Sequence, residues 1–237
     1  MNRVLIYEIR RQVINRFFVG LLAVCLLFAW LTLRTSVIRG VANTAPFSAW
    51  SFGYYMAQVL PLLVIALLFS LWTVFSPTVR NVAVLTRATP ADERKYYLLK
   101  CCAALASWFI ILLGTILLGL VFLIAIFGNV FVAEETILSC VVVTLPTLLF
   151  FFGVGLLAGR LKKWQSIVVI SLAVIVSFLP ITEYSALFGT NFFSQYPLTL
   201  DVLDPAFSLP LSMTINKVIY SATGVLLVVI FVKKKNL

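Results

Sequence analysis

Long unbroken apolar runs separated by short polar segments set the pattern of this chain. An α-helix needs about 17 to 25 predominantly apolar residues to cross a hydrocarbon core of about 30 Å. Six runs of that kind occur, at residues 17–33, 55–75, 101–127, 136–159, 166–182 and 215–232. They predict an all-α, polytopic membrane protein in which residues 1–237 form one transmembrane domain. Six crossings bring both termini to the same side.

The polar segments carry their own patterns. Before the first run, Ile6, Ile9, Val13 and Phe17 recur at helical spacing while Glu8, Arg11, Gln12 and Asn15 take the other side. Residues 1–16 therefore read as an amphipathic helix lying in the interface, its arginines toward lipid phosphates. Residues 76–100 are the longest connection. There Thr89 suits an N-cap and Pro90 a first helical position, and Asp92 and Glu93 fall in the first turn, where the helix dipole favours acids. The helix so started should run through Tyr96, Tyr97 and Lys100 into the third span, with the tyrosines at headgroup depth and Lys100 snorkelling outward. Residues 183–213 are too apolar for a solvated loop, interleaving Phe188, Phe192, Phe193, Tyr196 and Phe207 with Pro197, Pro205 and Pro210. Short helices dipping into the outer leaflet, or packed over the end of a pathway, fit that composition. Gly155 and Gly159 lie four apart with Gly153 nearby, a spacing that lets helices approach closely, within the chain or between subunits.

Composition agrees with a lipid solvent. Hydrophobic residues make up 62% and charged residues 11% of 237, and the mean hydropathy is +1.11. Soluble domains carry roughly half as much again of polar character and about a quarter charged residues. The net charge of +10 points to topology rather than nucleic acid, because basic residues collect in cytoplasmic loops. Arg3, Arg10, Arg11, Arg16, Arg80, Arg87, Arg94, Lys95, Lys100, Arg160, Lys162, Lys163 and Lys233 to Lys235 fall on one face. They are 15 of the 18 basic residues. The other face keeps Arg34, Arg39 and Lys217 with Glu134, Glu135, Glu183, Asp201 and Asp204. This asymmetry predicts both termini in the cytoplasm. No small-residue cleavage site follows the first run, which reads as a retained helix rather than a signal peptide.

Candidate chemistry is sparse. The chain has no His, the commonest zinc ligand and general base, and no GxxxxGK[ST] loop to cradle phosphate. The apolar runs hold no Asp, Glu or His of the kind a proton or sodium relay uses. Cys25, Cys101, Cys102 and Cys140 sit in apolar runs without metal-ligand spacing and read as small packing residues. No catalytic, cofactor-binding or metal-ligating residue is expected.

The order of parts, and the stretch LTRATPADERKYYLLKCCAAL at residues 85–105, resemble the permeases of type-2 ABC exporters. In that family a Pro followed by a polar, basic turn and a Lys leads into the third span. The resemblance implies that the segment between the second and third spans docks on a separate ABC ATPase, which holds the ATP and Mg. It also implies two permeases and two ATPases per transporter, the second permease being an identical copy or a related chain. Carried over, the ATPase-coupling residues are Arg80, Arg87, Thr89, Pro90, Asp92 and Arg94. The chain departs from the family in lacking an acid at residues 76–80.

These readings lead to an expected function in a bacterial plasma membrane: a permease subunit exporting a hydrophobic or amphipathic compound such as a peptide, antibiotic or drug. A non-transporting anchor, immunity or sensory subunit is the alternative, and a lipid-modifying enzyme is disfavoured because acid-base residues are missing.

Overall fold

The computed structural model describes residues 2–74, 93–128, 133–159, 161, 163–179 and 187–233, and these are helical with short connections. A short helix α1 (Asn2–Val13) turns into α2 (Arg16–Thr35), which a 3-10 turn at Val37–Arg39 extends. There follow α3 (Ala49–Val74), α4 (Glu93–Phe127), α5 (Ala133–Gly159), α6 (Lys163–Phe178), the single-turn α7 (Thr190–Gln195) with a 3-10 turn at Tyr196–Leu200, and α8 (Leu211–Lys233). Among the described residues, five helical stretches are long and apolar enough to cross a membrane: Arg16–Arg39, Ala49–Val74, Leu98–Phe127, Thr136–Gly159 and Leu211–Lys233.

These five correspond to five of the six apolar runs. The remaining run, 166–182, forms α6, whose 16 residues rise about 24 Å, short of a full hydrocarbon core. Its residues 180–182 lie outside the described residues. The second run was expected to begin at residue 55, yet α3 starts at Ala49. Ser48 supplies the cap, its Oγ accepting from Ser51 N at 3.3 Å, and the intervening Trp50 and Phe52 are buried against protein. α4 is continuous from Glu93 to Phe127. Its 35 residues span about 52 Å, so it reaches well beyond its apolar stretch at one end.

α3 is the centre of the bundle, touching α2, α4, α5 and α7. Its buried face is apolar apart from a few polar atoms, which are satisfied on backbone, as are those packed against it: Ser51 Oγ donates to Ala45 O at 2.8 Å, Tyr55 Oη to Thr115 O at 2.7 Å, and Trp108 Nε1 of α4 to Leu63 O at 2.7 Å. Buried donors without such partners would each cost about 1–3 kcal/mol.

α5 and α8 run parallel and closely packed. Phe150 meets Tyr220 at 5.5 Å between ring centroids, and further along both helices Gly153 faces Gly224. A Cβ at Gly153 would lie 2.6 Å from Gly224 O, and one at Gly224 would overlap the backbone of Leu149. A Cβ at Gly155 would lie 2.5 Å from Leu71 Cδ1 of α3, while Gly159 is the last residue of α5.

α1 is helical, and it inverts the expected orientation. Glu8 is 4% exposed, whereas Ile6 and Tyr7 are each 64% exposed. Gln12 accepts from Ser107 Oγ of α4 at 3.1 Å. The polar side of α1 is therefore turned into the bundle, with Val13 packed on the core. The break at Asn15, whose Oδ1 caps α2 by accepting from Phe17 N at 3.1 Å, sends Phe17 off the face shared by Ile6 and Ile9.

Candidate functional site: a lateral groove beside an interrupted return

An elongated groove of about 870 Å³ opens between α5 and α8. It extends from Leu209 and Met213, past Pro146, to Ile230 and Lys233. Pro146 lies inside α5 and has no N–H to give the helix. The lining is apolar apart from a few hydroxyls and two lysines, Lys217 and Lys233.

The chain behind this groove is irregular. Because α5 and α8 are parallel, a chain leaving α5 at Gly159 must travel back along the bundle before α8 can begin. α6 covers part of that return, starting beside α5, where Ser166 Oγ donates to Ala158 O at 2.6 Å. Beyond α6, Leu187 N donates to Ser177 O at 3.2 Å, so the chain resumes where α6 stopped. Leu187 and Phe188 are buried. Phe188 stacks on Phe151 of α5, centroids 6.1 Å apart, and touches Phe178 at 4.8 Å. Non-helical backbone thus lies inside the bundle beside α5. At such a place every carbonyl needs a partner within the protein, and Lys217 Nζ donates to Leu187 O. Gly189, at φ +73°, turns this strand into α7.

Lys217 was expected on the outer face as a topology marker. It lies toward the start of α8, the end that follows the cap, and is 6% exposed, two turns inside the helix. A lysine so buried is a packed polar group whose cost is offset only by its hydrogen bonds. Sequence reasoning missed it because it scored Lys as a boundary charge; its position six residues past the start of an apolar helix was the available signal.

At the end where α3 begins, an aromatic cap closes the bundle. Trp50 packs on Phe192 at 5.5 Å, Tyr196 at 5.9 Å and Phe207 at 4.9 Å between centroids. Its Nε1 donates to Pro205 O at 2.8 Å. Phe193 lies over Gly53, where any Cβ would enter its ring. Two loops are fastened beside the cap, Asp204 Oδ1 accepting from Ala45 N and Asp204 N donating to Asn43 O, both at 3.0 Å. The expectation of short helices in 183–213 is met by α7 and its 3-10 turn; Glu183 lies outside the described residues.

Of the coupling residues, Arg80, Arg87, Thr89, Pro90 and Asp92 lie outside the described residues, and Arg94 is the second residue of α4. Gly155 packs against Leu71 of α3, and Gly153 and Gly224 meet between α5 and α8. Among the described residues no group of three or more His, Cys, Asp or Glu is placed to hold a metal. Cys25, Cys101 and Cys140 are buried free thiols. What the arrangement offers chemically is an apolar, laterally open surface with a lysine toward each end, next to backbone that is not locked in a helix. No known family model matches the chain, and no curated protein or solved structure does either.

Proposed function

We propose that this chain is a permease subunit of an ABC exporter, with six crossings and both termini in the cytoplasm. The fifth crossing on this reading is composite, made of α6 and the segment from Leu187 through α7. The observation that carries the reading is the groove between α5 and α8. It is open sideways, long enough to hold an apolar chain, and backed by the non-helical residues 187–189, whose Leu187 O accepts from Lys217 of α8. An amphipathic compound would enter it from the bilayer and leave past the aromatic cap on the outer side.

Two further features support this. The end of α1, the start of α2 and the end of α8, which carry Arg10, Arg11, Arg16 and Lys233, lie at one end of the bundle, and Asp201 and Asp204 belong to the other, as the positive-inside rule requires of a cytoplasmic N-terminus. The connection 75–92 leaves from α3 at that basic end, where an ATPase subunit would dock and supply the ATP chemistry. A second permease, identical or related, would complete the pathway.

The test is purification of the tagged chain from its native membrane in mild detergent. An ABC ATPase in roughly equal amount is the expected companion, and Arg87→Glu with Arg94→Glu should abolish efflux and stimulated ATP hydrolysis together. Absence of any ATPase would overturn the proposal in favour of an anchoring or immunity subunit.

A further inference from the structure

A second, smaller cavity of about 260 Å³ lies where α1 turns into α2, walled by the end of α3 and by α4. Arg11, Gln12 and Asn15 line it from the turn, Ser70 and Thr73 from α3, and Phe17 and Leu21 below them from α2. The hydrogen bonds of these side chains decide what the cavity can hold. Ser107 Oγ shares its one proton between Ala103 O at 2.9 Å and Gln12 Oε1 at 3.1 Å, and Asn15 Oδ1 accepts from Phe17 N at 3.1 Å. An amide whose oxygen is engaged keeps its two N–H donors, and neither amide nitrogen has a partner among the described residues. Arg11 is half exposed and lies 2.8 Å from Glu8 Oε2, off the hydrogen-bond line, which leaves other guanidinium N–H groups for the cavity. The side chains at the turn thus offer donors only.

The α3 side is the complement. Ser70 Oγ donates to Ala66 O at 2.9 Å and Thr73 Oγ1 to Ser70 O at 2.7 Å. Having given their protons to backbone, both hydroxyls present lone pairs alone. Donors gathered at a guanidinium suit a phosphate, and acceptors a short distance away suit a group that carries hydroxyls. Arg10 and Arg16, both exposed, add positive charge at the rim. Outside the mouth, Phe17 is exposed at 48% and Val24, two turns further along the same face of α2, at 54%, continuing the cavity into an apolar strip.

We infer that this cavity binds the headgroup of an anionic glycerophospholipid. Its phosphate sits among Arg11, Gln12 and Asn15, its headgroup hydroxyls reach Ser70 and Thr73, and its acyl chains lie along Phe17 and Val24. The inverted orientation of α1 follows from this site. Turning Glu8 and Gln12 inward spends one side of α1 on α4 and holds Gln12 Oε1 so that its N–H₂ faces the cavity.

The test uses full-length protein purified in a neutral detergent and titrated with short-chain phosphatidylglycerol, phosphatidylcholine and inorganic phosphate, with bound lipid counted by native mass spectrometry. Gln12→Glu and Asn15→Asp are isosteric. Each keeps the engaged oxygen, and so the bond to Ser107 and the cap of α2, while replacing the free donor by an anionic acceptor. Wild type should bind one phosphatidylglycerol in preference to phosphatidylcholine, and the double variant should lose about tenfold or more in affinity, as expected for charge-assisted bonds exchanged for repulsion. If the double variant does not fold, Arg11→Gln gives the same reading through loss of the guanidinium charge. Equal binding of the two lipids, or unchanged binding by the variants, overturns the inference. Saturation by inorganic phosphate that leaves phosphatidylglycerol no advantage assigns the site to a soluble phosphate and overturns the lipid.

Discussion

At the scale of single residues, glycine and lysine separate positions that look alike in the sequence. Gly20 has open space around a built Cβ, whereas a Cβ at Gly224 would meet the backbone of Leu149. Backbone cannot swing aside as a flexible side chain can, so Gly224→Ala should destabilise by about 1–3 kcal/mol through forced separation of α5 and α8. Gly20→Ala should be neutral or slightly stabilising, since Ala is the better helix former by about 1 kcal/mol. Thermal unfolding in one detergent checks both, and equal midpoints would contradict the close approach. Lys217 allows a second prediction. Lys217→Leu leaves Leu187 O without its donor inside the bundle, at a cost of about 1–3 kcal/mol, and Lys217→Gln should recover part of that loss only if its shorter amide still reaches the carbonyl. None of these roles was visible in the chain itself. A GxxxG count ranks Gly155 and Gly159 because they share a helix, while the closest contact needs Gly224 from a helix some 70 positions away.

At the scale of elements, length and apolarity made most of the helices legible, because a spanning helix must satisfy its own backbone and present apolar side chains to lipid. The same logic explains what stayed hidden. α1 shows a helical apolar stripe, and the stripe does not reveal whether its partner is protein or lipid; in water Glu8 would face outward, and here it packs against α4. The return behind the groove was hidden as well, since the apolar composition of 166–182 and of 187–207 is the same whether the backbone is helical or interrupted. The aromatic cap is the element whose strength is most directly testable. Trp50→Phe keeps ring packing and loses the bond to Pro205 O, costing about 1 kcal/mol. Trp50→Ala also opens a cavity among Phe192, Tyr196 and Phe207 and should cost about 3–5 kcal/mol. If the cap is an outer gate, Trp50→Ala should in addition leak substrate without ATP, a readout that loss of stability alone would not produce.

At the scale of the whole molecule, the distribution of charge and the parallel course of α5 and α8 support each other. On the proposed six-crossing reading, the parallel fourth and sixth apolar runs are joined by one crossing between them, for which the composite of α6 and α7 is the segment proposed. If that composite failed to cross, α8 would enter from the basic side, leaving Asp201 and Asp204 there and carrying Lys233 to the opposite side, against the charge bias that orients membrane proteins. Orientation can therefore be read from two positions in a variant whose native cysteines are replaced. Leu203, 84% exposed beside the cap, and Tyr7, 64% exposed on α1, are each changed to Cys in turn and treated with a membrane-impermeant maleimide. Leu203→Cys should react in intact cells and Tyr7→Cys only after permeabilisation. Labelling of both from outside would place α1 and the cap on one side, remove a crossing from the bundle, and leave the lateral groove without an outward exit.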